Sequence, residues 1–285
     1  MTDGVNGWRP PAGGLAERAR AVAEGLLPPV AARDAATTVL LRDSAVGTGV
    51  EACLLRRVGT MAFAAGMYVF PGGAVDPDDA RAEVAWAGPA PARIARVLAA
   101  DVPLARALVC AAVRETFEES GVLLAGPDAD TVADVGAPEW EEERRALEAR
   151  EHGLASLLRR RGLVVRADLL RPWAHWITPE AEPRRYDTRF FVAALPAGQR
   201  TRRVGGETDR TMWLRPEEAL ARHASGRLGM LPPTSFTLAE LAEYPDVASV
   251  LAAAAARDVK PVLPRVVVSG DEARLLLPHE EGYGR

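Results

Sequence analysis

The sequence predicts an α+β fold, arranged as an α/β/α sandwich in which helices cover both faces of a mixed β-sheet. Two observations predict this fold class. Strand-like runs outnumber helical runs before the middle of the 285-residue chain. The two kinds of run are mixed along the chain and do not alternate strictly, which favours a mixed sheet between helices.

The first elements follow an N-terminal arm, residues 1–32, that is rich in Gly, Pro and Ala. Strand-like runs at 36–41 and 50–56 flank a cluster of turn residues, so they predict a β-hairpin. Another short strand, at 67–70, stops at Pro71-Gly72-Gly73. A helix is expected around 93–100.

A longer helix is predicted from Asp101 to Ser120. Asp101 is a favoured N-cap residue, and Pro103 is tolerated in the first turn. Gly121 follows at the position where a left-handed residue commonly ends a helix. We therefore assign Gly121 a structural role and expect a strand to begin at 122–124.

The second half of the chain continues the mixed pattern. Residues 139–161 form a charged amphipathic run, which predicts one solvated helix. The remaining patterns predict strands at 168–177, 188–194 and 211–214, helices at 216–224 and 235–244, and a terminal hairpin at 265–277.

Composition excludes several classes of function. The formal net charge is −4, so no global positive field would draw the chain to nucleic acid or to an anionic membrane. No apolar run reaches the ~18 residues of a membrane span. No basic segment leads into an apolar leader at the N-terminus, so we expect a cytoplasmic protein. Zinc-type Cys and His spacing is absent.

Three glutamates share one face of the predicted long helix. Glu115 lies three residues before Glu118 and four before Glu119, so their carboxylates are neighbours. Their repulsion is offset if hard divalent cations lie between them, because Mg²⁺ and Mn²⁺ prefer oxygen ligands. Arg114 can hold one carboxylate in a fixed orientation. A solvated, salt-bridged helix face is the alternative interpretation.

The glycines upstream favour the metal site. Gly72 and Gly73 follow a strand and bring bare backbone close to the helix. The Gly72 carbonyl is a further candidate metal ligand, beside Glu115, Glu118 and Glu119.

Together these residues resemble the box that defines the Nudix family. The resemblance is carried by Gly73 and by Arg114-Glu115-x-x-Glu118-Glu119-x-Gly121-Val122. Thr116 occupies a position that is usually apolar. About thirty extra residues separate Gly73 from the helix, and counting back from Arg114 places the early glutamate of the box at Arg106.

The interrupted box resembles one branch of the family, the peroxisomal coenzyme A diphosphatases. Further similarity lies at 63–73, at 176–179 together with 184–191, and at 231–234. The resemblance implies a Nudix fold with a long box insertion and extra helices. It also implies a catalytic domain over residues 33–245, with insertions at about 76–102 and 127–165, and a C-terminal extension at 246–285.

The resemblance implies hydrolysis of a pyrophosphate bond in a nucleoside diphosphate derivative, with Mg²⁺ or Mn²⁺ as cofactor. Coenzyme A or an acyl ester of it is one substrate. An ADP-ribose or dinucleotide diphosphatase, or a non-catalytic nucleotide-sensing module, are alternatives. Because Nudix enzymes often pair, a homodimer is compatible with this interpretation.

Candidate site residues follow from these expectations. The general base is either Glu115 or Glu207, which lies in a loop ahead of a strand. The candidates for substrate binding comprise two arginines for phosphate, two aromatic residues for stacking and one glycine for close approach: Arg56, Arg189, Phe63, Tyr186 and Gly73.

Overall fold

The computed structural model describes residues 14–58, 64–81, 83–202, 208–269, 272–278, 280 and 283. Its helices are α1 (Leu15–Ala23), α2 (Pro77–Arg81), α3 (Pro91–Leu98), α4 (Val102–Ser120), α5 (Glu139–Glu148), α6 (Leu154–Arg161), α7 (Pro216–Ala224), α8 (Pro232–Leu241) and α9 (Val247–Ala255). Its strands are β1 (Arg33–Asp43), β2 (Val50–Arg57), β3 (Tyr68–Val69), β4 (Gly72–Ala74), β5 (Trp86–Ala87), β6 (Ala125–Gly126), β7 (Val164–Arg166), β8 (Arg171–Ile177), β9 (Tyr186–Ala194), β10 (Thr208–Leu214), β11 (Pro261–Val262), β12 (Arg265–Ser269) and β13 (Glu272–Leu276).

The central sheet is mixed, as predicted. Its strands run in the order β10-β2-β1-β9-β8-β11, and β3 and β4 pair with β2 and β1. Strands β1 and β9 are parallel, whereas β1 and β2 form the predicted antiparallel hairpin. Strand β4 therefore lies beside the N-terminal part of β1, opposite β9.

Helices cover both faces of this sheet. Along β1, Ala36 and Leu40 belong to one apolar core, together with Leu108 and Phe117 of α4. Val39 and Leu41 point the other way and belong to a second core with residues of α7, α8 and α9. This alternation is the period of two that a strand buried on both faces requires. The α/β/α sandwich is confirmed.

Helix α4 begins and ends as its sequence predicts. The Asp101 side chain accepts a hydrogen bond from the Leu104 amide at 2.7 Å. Gly121 ends the helix with a φ of 74°, a left-handed value that glycine adopts without a steric cost. The hydroxyl of buried Thr38 donates to the Ala112 carbonyl at 3.4 Å and ties α4 to β1.

Two predicted elements differ from the structure. Residues 122–124 are buried without forming a strand, and the next strand is β6. Residues 139–161 form two helices, α5 and α6, and not one. The break contains Arg150, which has a φ of 58°, and Gly153, which precedes α6. A left-handed residue cannot continue a right-handed helix, so the charged run folds back on itself.

The two segments expected as insertions pack together. The first contains α2, β5 and α3, and the second contains α5, α6 and β7. Strands β5, β7 and β6 form a separate small sheet, with Trp86 and Ala125 both paired with Val165. Helix α2 also contacts α4, so the first segment reaches the glutamate helix directly.

The two ends of the described chain meet. Leu15 and Ala19 of α1 form a small apolar cluster with Ala181, Val266 and Val268. Strands β12 and β13 form the predicted terminal hairpin. No helix in the described part of the chain has both the length and the hydropathy needed to cross a membrane.

Candidate active site

A cavity of about 980 Å³ opens on the sheet face opposite α4 and continues past β4 to the glutamate helix. Its floor consists of rows of residues that the strand register places side by side. One row joins Gly72, Thr37 and Phe190, and all three line the cavity. A second row joins Ala74 and Ala35 to Thr188 and Trp176; these also line it.

The register sets the size of this floor. From Ala74 on β4 to Trp176 on β8 there are three strand spacings, about 14 Å. From Thr37 to Arg33 along β1 there are four residues, about 13 Å. The floor is therefore large enough for an extended nucleotide derivative.

The predicted glutamates lie where β4 meets α4. Glu115, Glu118 and Glu119 all line the cavity. The Gly72 amide donates to the Glu119 carboxylate at 2.9 Å. A Cβ atom on Gly73 would stand 2.4 Å from Oε1 of Glu115, so only glycine permits this approach. The structure therefore brings the two predicted glycines and the three glutamates together.

Arg114 holds these carboxylates through its guanidinium group. Its Nη1 donates to Glu115 at 2.7 Å and to Glu118 at 3.3 Å. Its Nη2 donates to the Ala74 carbonyl at 3.0 Å and so fixes β4 as well. We expected Arg114 to hold one carboxylate; it holds two of the three glutamates.

Burial changes the proton affinities of this cluster. Desolvation raises the pKa of Glu118 to about 7, against the opposing charge of Arg114 and with the help of Glu115. Burial alone would lower the pKa of Arg114, but its hydrogen bonds and the neighbouring carboxylates raise it above its ordinary value. The arginine is thus permanently charged, and the carboxylates are held in an environment that favours a cation.

Asp79 is a site residue that sequence reasoning missed. Its side chain, 1% exposed, pairs with Arg114 through contacts of 2.9, 3.1 and 3.2 Å. Asp79 lies six residues after Gly73, the spacing that the early acidic residue of the box should have. Counting back from Arg114 to Arg106 was wrong, because the extra residues follow Asp79 and do not precede it.

Arg106 has a different task. Its Nη2 donates to the Val84 carbonyl at 2.9 Å, and its guanidinium lies 5.4 Å from the centre of the Trp86 ring. It therefore anchors the first insertion to α4 and does not point to the glutamates. Forward counting from Gly73 is the signal that identifies Asp79 from sequence.

The second insertion also contacts the glutamate helix. Arg144 of α5 is 3% exposed, and its Nη1 donates to the main-chain carbonyl of Glu118 at 2.8 Å. Glu141 and Glu148 balance its charge. This contact satisfies a carbonyl in the last turn of α4, where the helix offers no backbone N–H donor of its own.

Thr116 occupies a position of the box that is usually apolar. Its buried hydroxyl group nevertheless has a hydrogen-bond partner. The residue is fully buried, and its Oγ1 donates to the Ala112 carbonyl one turn earlier at 2.6 Å. Its methyl group can then pack in the core as an apolar residue would.

The donor set suits a hard divalent cation, since every candidate ligand is an oxygen. Among the described side chains, no three His, Cys, Asp or Glu groups converge closely enough to hold one ion as they stand. The reason is local: Arg114 holds Glu115 and Glu118, while the Gly72 amide holds Glu119. Cation binding would require these carboxylates to turn from their present partners.

The substrate-binding candidates divide into three groups. Tyr186 and Gly73 line the cavity. Phe63 and the catalytic candidate Glu207 lie outside the described residues. The described lining does not include Arg56, whose Nε donates to Asp209 at 2.7 Å, so the structure does not bring Arg56 to the site.

Arg189 is likewise not brought to the cavity. It pairs with Ala36 in the sheet, whereas its neighbour Thr188 lies on the cavity row. Adjacent strand residues point to opposite faces, so the Arg189 side chain lies on the face away from the floor. There it is 5% exposed and paired with Asp187 at 2.6 Å and Asp34 at 3.2 Å.

Other arginine side chains line the cavity, where Arg56 and Arg189 do not. Arg33, Arg57 and Arg184 line it, and Arg33 is opposite Tyr186 in the strand register. These three arginines are not among the candidates that the sequence pattern indicated for phosphate binding, Arg56 and Arg189. Successive side chains of a strand point to opposite faces of the sheet. Which arginines face the cavity therefore depends on the strand register.

Comparison with known proteins agrees with this geometry. The family model that describes the NUDT19 Nudix domain matches residues 88–241, more than half of the chain. The chain therefore belongs to the Nudix hydrolase family, and it is a pyrophosphohydrolase of that family.

Individual relatives show to which members of the family the chain is similar. Acyl-coenzyme A diphosphatase NUDT19 of Gallus gallus is 27% identical over 274 residues, which cover 82% of this chain and 72% of that protein. Putative nudix hydrolase 7 of Caenorhabditis elegans is 28% identical over 214 residues, covering 75% and 62%. The crystal structure of a Nudix hydrolase from Alicyclobacillus acidocaldarius is 32% identical with a TM-score of 0.66, covering 78% of this chain and 96% of that one.

Proposed function

We propose that this chain hydrolyses the pyrophosphate bond of coenzyme A or its acyl esters in a reaction that requires Mg²⁺ or Mn²⁺. The observation that carries the proposal is the cavity: three glutamates of α4 lie at one side of a floor that extends about 14 Å to Trp176. A pocket for inorganic pyrophosphate alone would not need this reach. The similarity to an acyl-coenzyme A diphosphatase supports the choice of substrate.

Each part of the cavity has a task in this proposal. Glu115, Glu118 and Glu119, with the Gly72 carbonyl, would hold the cations. Bound there, Mg²⁺ or Mn²⁺ would neutralise the diphosphate and lower the pKa of a water molecule. Arg114 keeps Glu115 and Glu118 beside each other at the cavity wall, from where their carboxylates would turn to a bound cation.

The chain's own residues complete the reaction. A water oxygen forms a bond to one phosphorus while the bridging P–O bond breaks. Glu115 or Glu207 takes the proton of the water. Tyr186 is half-buried at the cavity, and its ring would stack on the base of the substrate. Arg33 and Arg184 are exposed at the lining and suit a further phosphate, such as the one on the coenzyme A ribose.

The test is product release from a panel of coenzyme A, acetyl-coenzyme A, ADP-ribose, NADH and dinucleoside polyphosphates, with and without each metal. We expect metal-dependent cleavage of the coenzyme A compounds to a phosphopantetheine product. Preference for another member would keep the chemistry and replace the substrate. Tight binding of one compound without turnover of any would favour a nucleotide sensor.

The two candidate bases can be separated by single substitutions. Glu115→Gln and Glu207→Gln are compared with the wild type in two series: across a range of pH at saturating metal, and across a range of metal concentrations at one pH. Loss of the base removes the acidic limb of the pH profile of kcat, whereas loss of a metal ligand raises the metal concentration needed for activity.

A further inference from the structure

The connection between α5 and α6 forms a second wall of the cavity at the glutamate end. Residues 149–153 make this connection, and we call them the α5–α6 turn. Arg150, His152 and Gly153 of the turn line the cavity, together with Asp76 and Asp78 at the start of α2. Segments outside α4 and β4 therefore contribute side chains beside the glutamates.

The α5–α6 turn is held in place on several sides. Helix α5 is tied to α4 through Arg144, as described above. Nε2 of His152 lies 3.2 Å from the carboxylate of Glu143, which also accepts hydrogen bonds from two arginines of α6. A Cβ atom on Gly153 would stand 3.2 Å from Oδ2 of Asp78, so the turn also packs closely against α2.

Arg150 occupies a position whose backbone favours glycine. Its φ is 58°, in the left-handed region that a residue with a side chain adopts only at a steric cost. Helices α4 and α6 place glycine in this conformation, at Gly121 with a φ of 74° and at Gly162 with a φ of 64°. Backbone geometry thus gives no reason for an arginine here, and such strained residues are frequent at functional sites.

The guanidinium group of Arg150 has donors available for a ligand. Its side chain is 83% exposed, and its ion pair with Asp76 measures 3.7 Å, which is too long for a hydrogen bond. By contrast, each guanidinium nitrogen of Arg114 already donates to a carboxylate or a carbonyl of the protein. Of these two arginines at the glutamate end, Arg150 is therefore the one that can turn to a ligand.

We propose that Arg150 binds the diphosphate group of the substrate. A guanidinium can donate two parallel hydrogen bonds to phosphate oxygens. Asp76 brings Arg150 close to the glutamates, because its amide donates to the Asp79 carboxylate at 2.9 Å and Asp79 in turn pairs with Arg114. The inference rests on the proposed hydrolysis of a pyrophosphate bond, but not on coenzyme A as the substrate, because every compound with such a bond contains the diphosphate.

The experiment measures the binding of imidodiphosphate, in which nitrogen replaces the bridging oxygen of pyrophosphate, by calorimetry in the presence of Mg²⁺. Arg150→Gln removes the charge and keeps a side chain at the strained position, so binding should weaken by about tenfold or more. Arg150→Lys keeps the charge without the paired donors and should lose less. The matched control is Arg145→Gln, since Arg145 is an exposed arginine of α5 that pairs with Glu141 and is not in the described lining of the cavity. This control should bind as the wild type does.

Two further variants exclude a purely structural role of Arg150. Arg150→Gly relieves the left-handed strain, so it should weaken binding while Tm stays the same or rises. Asp76→Asn removes the ion pair with Arg150 but keeps the side-chain oxygen that accepts from the Asp78 amide at 3.0 Å. It should bind at least as tightly as the wild type. If it binds as weakly as Arg150→Gln, Arg150 acts through that ion pair and the inference is overturned.

The outcomes separate the inference from the proposed function. Equal affinity of the wild type and Arg150→Gln overturns the inference and leaves the proposed hydrolysis standing. Failure of the wild type to bind imidodiphosphate also overturns it, and cleavage of the substrate panel decides the proposed function separately. If Arg150→Gln and Arg150→Gly weaken binding and the control does not, the inference holds, even when no coenzyme A compound is cleaved.

Discussion

Replacing Asp79 with asparagine removes the negative charge that holds Arg114 from the side of α2. The Asp79 carboxylate receives three contacts from Arg114, of 2.9 to 3.2 Å, and is 1% exposed. Asparagine has nearly the same shape, but its amide group presents hydrogen atoms to a guanidinium that can only donate. At least one of these contacts must therefore be lost.

The magnitude follows from the remaining partners of Arg114. Breaking a buried ion pair costs about 3–5 kcal/mol when the remaining charge has no partner. Arg114 keeps Glu115 at 2.7 Å and Glu118 at 3.3 Å, so the charge stays compensated. We therefore expect a loss of about 2–3 kcal/mol, in the upper part of the range of about 1.5–3 kcal/mol for hydrogen bonds to charged groups. That corresponds to a fall in Tm of about 4–10 °C.

Activity should fall more than stability alone explains. Arg114 can turn toward its two glutamates once Asp79 no longer holds it, and the carboxylates then lose their orientation. Loss of such a supporting partner typically costs 10–100-fold in metal affinity or activity. The assay measures kcat against Mg²⁺ concentration at a temperature where guanidinium unfolding shows the variant to be folded.

The matched control is Asp168→Asn. Asp168 makes the same two-pronged contact with Arg166, at 2.9 and 2.8 Å, but neither residue is in the described lining of the cavity. This control should lose stability without losing kcat per folded molecule. If Asp79→Asn keeps the kcat and metal dependence of the wild type, the reasoning about Arg114 is refuted.

Two further substitutions test the supports of the same helix. Gly73→Ala should lower kcat by more than tenfold with little loss of secondary structure, because the new Cβ would stand 2.4 Å from Oε1 of Glu115. Gly136→Ala, which meets only an exposed side chain at 3.0 Å, is its control; equal activity of both variants would contradict the close approach. Arg144→Met should lower the free energy of unfolding by about 1.5–3 kcal/mol, since the Glu118 carbonyl loses its donor. Chemical unfolding measures that loss, and an unchanged midpoint would show that the contact contributes nothing.

The parts of the fold that the sequence predicts well are those with local causes. Helix α4 is bounded by Asp101 and Gly121, and both act within a few residues of the position they define. The hairpin of β1 and β2 is equally local. The helix break at Arg150 could not be predicted in the same way, because arginine has no preference for the left-handed conformation it adopts there.

The site residues also divide into those that local sequence predicts and those that depend on strand pairing. The three glutamates follow from spacing on one helix, whereas the cavity face of β9 follows from its pairing with β1. Before the register is known, Arg189 and Tyr186 are equally plausible substrate-binding residues. In the structure Tyr186 lines the cavity, whereas Arg189 does not. The bond from the Arg18 side chain to the Ala181 carbonyl joins residues that are 163 positions apart in the sequence. Local patterns contain no information about such distant pairs.

We infer that the glutamates of α4 serve a metal-dependent hydrolysis of pyrophosphate. The most direct test measures phosphopantetheine release from coenzyme A by the wild type, by Glu119→Gln and by Glu142→Gln, each with Mg²⁺ and with a chelator. Glu142 is an exposed glutamate of α5 and serves as the control. We expect that chelation abolishes release and that Glu119→Gln lowers it by more than about 100-fold, while Glu142→Gln matches the wild type. Release that persists with the chelator, or in Glu119→Gln at the wild-type rate, would contradict it.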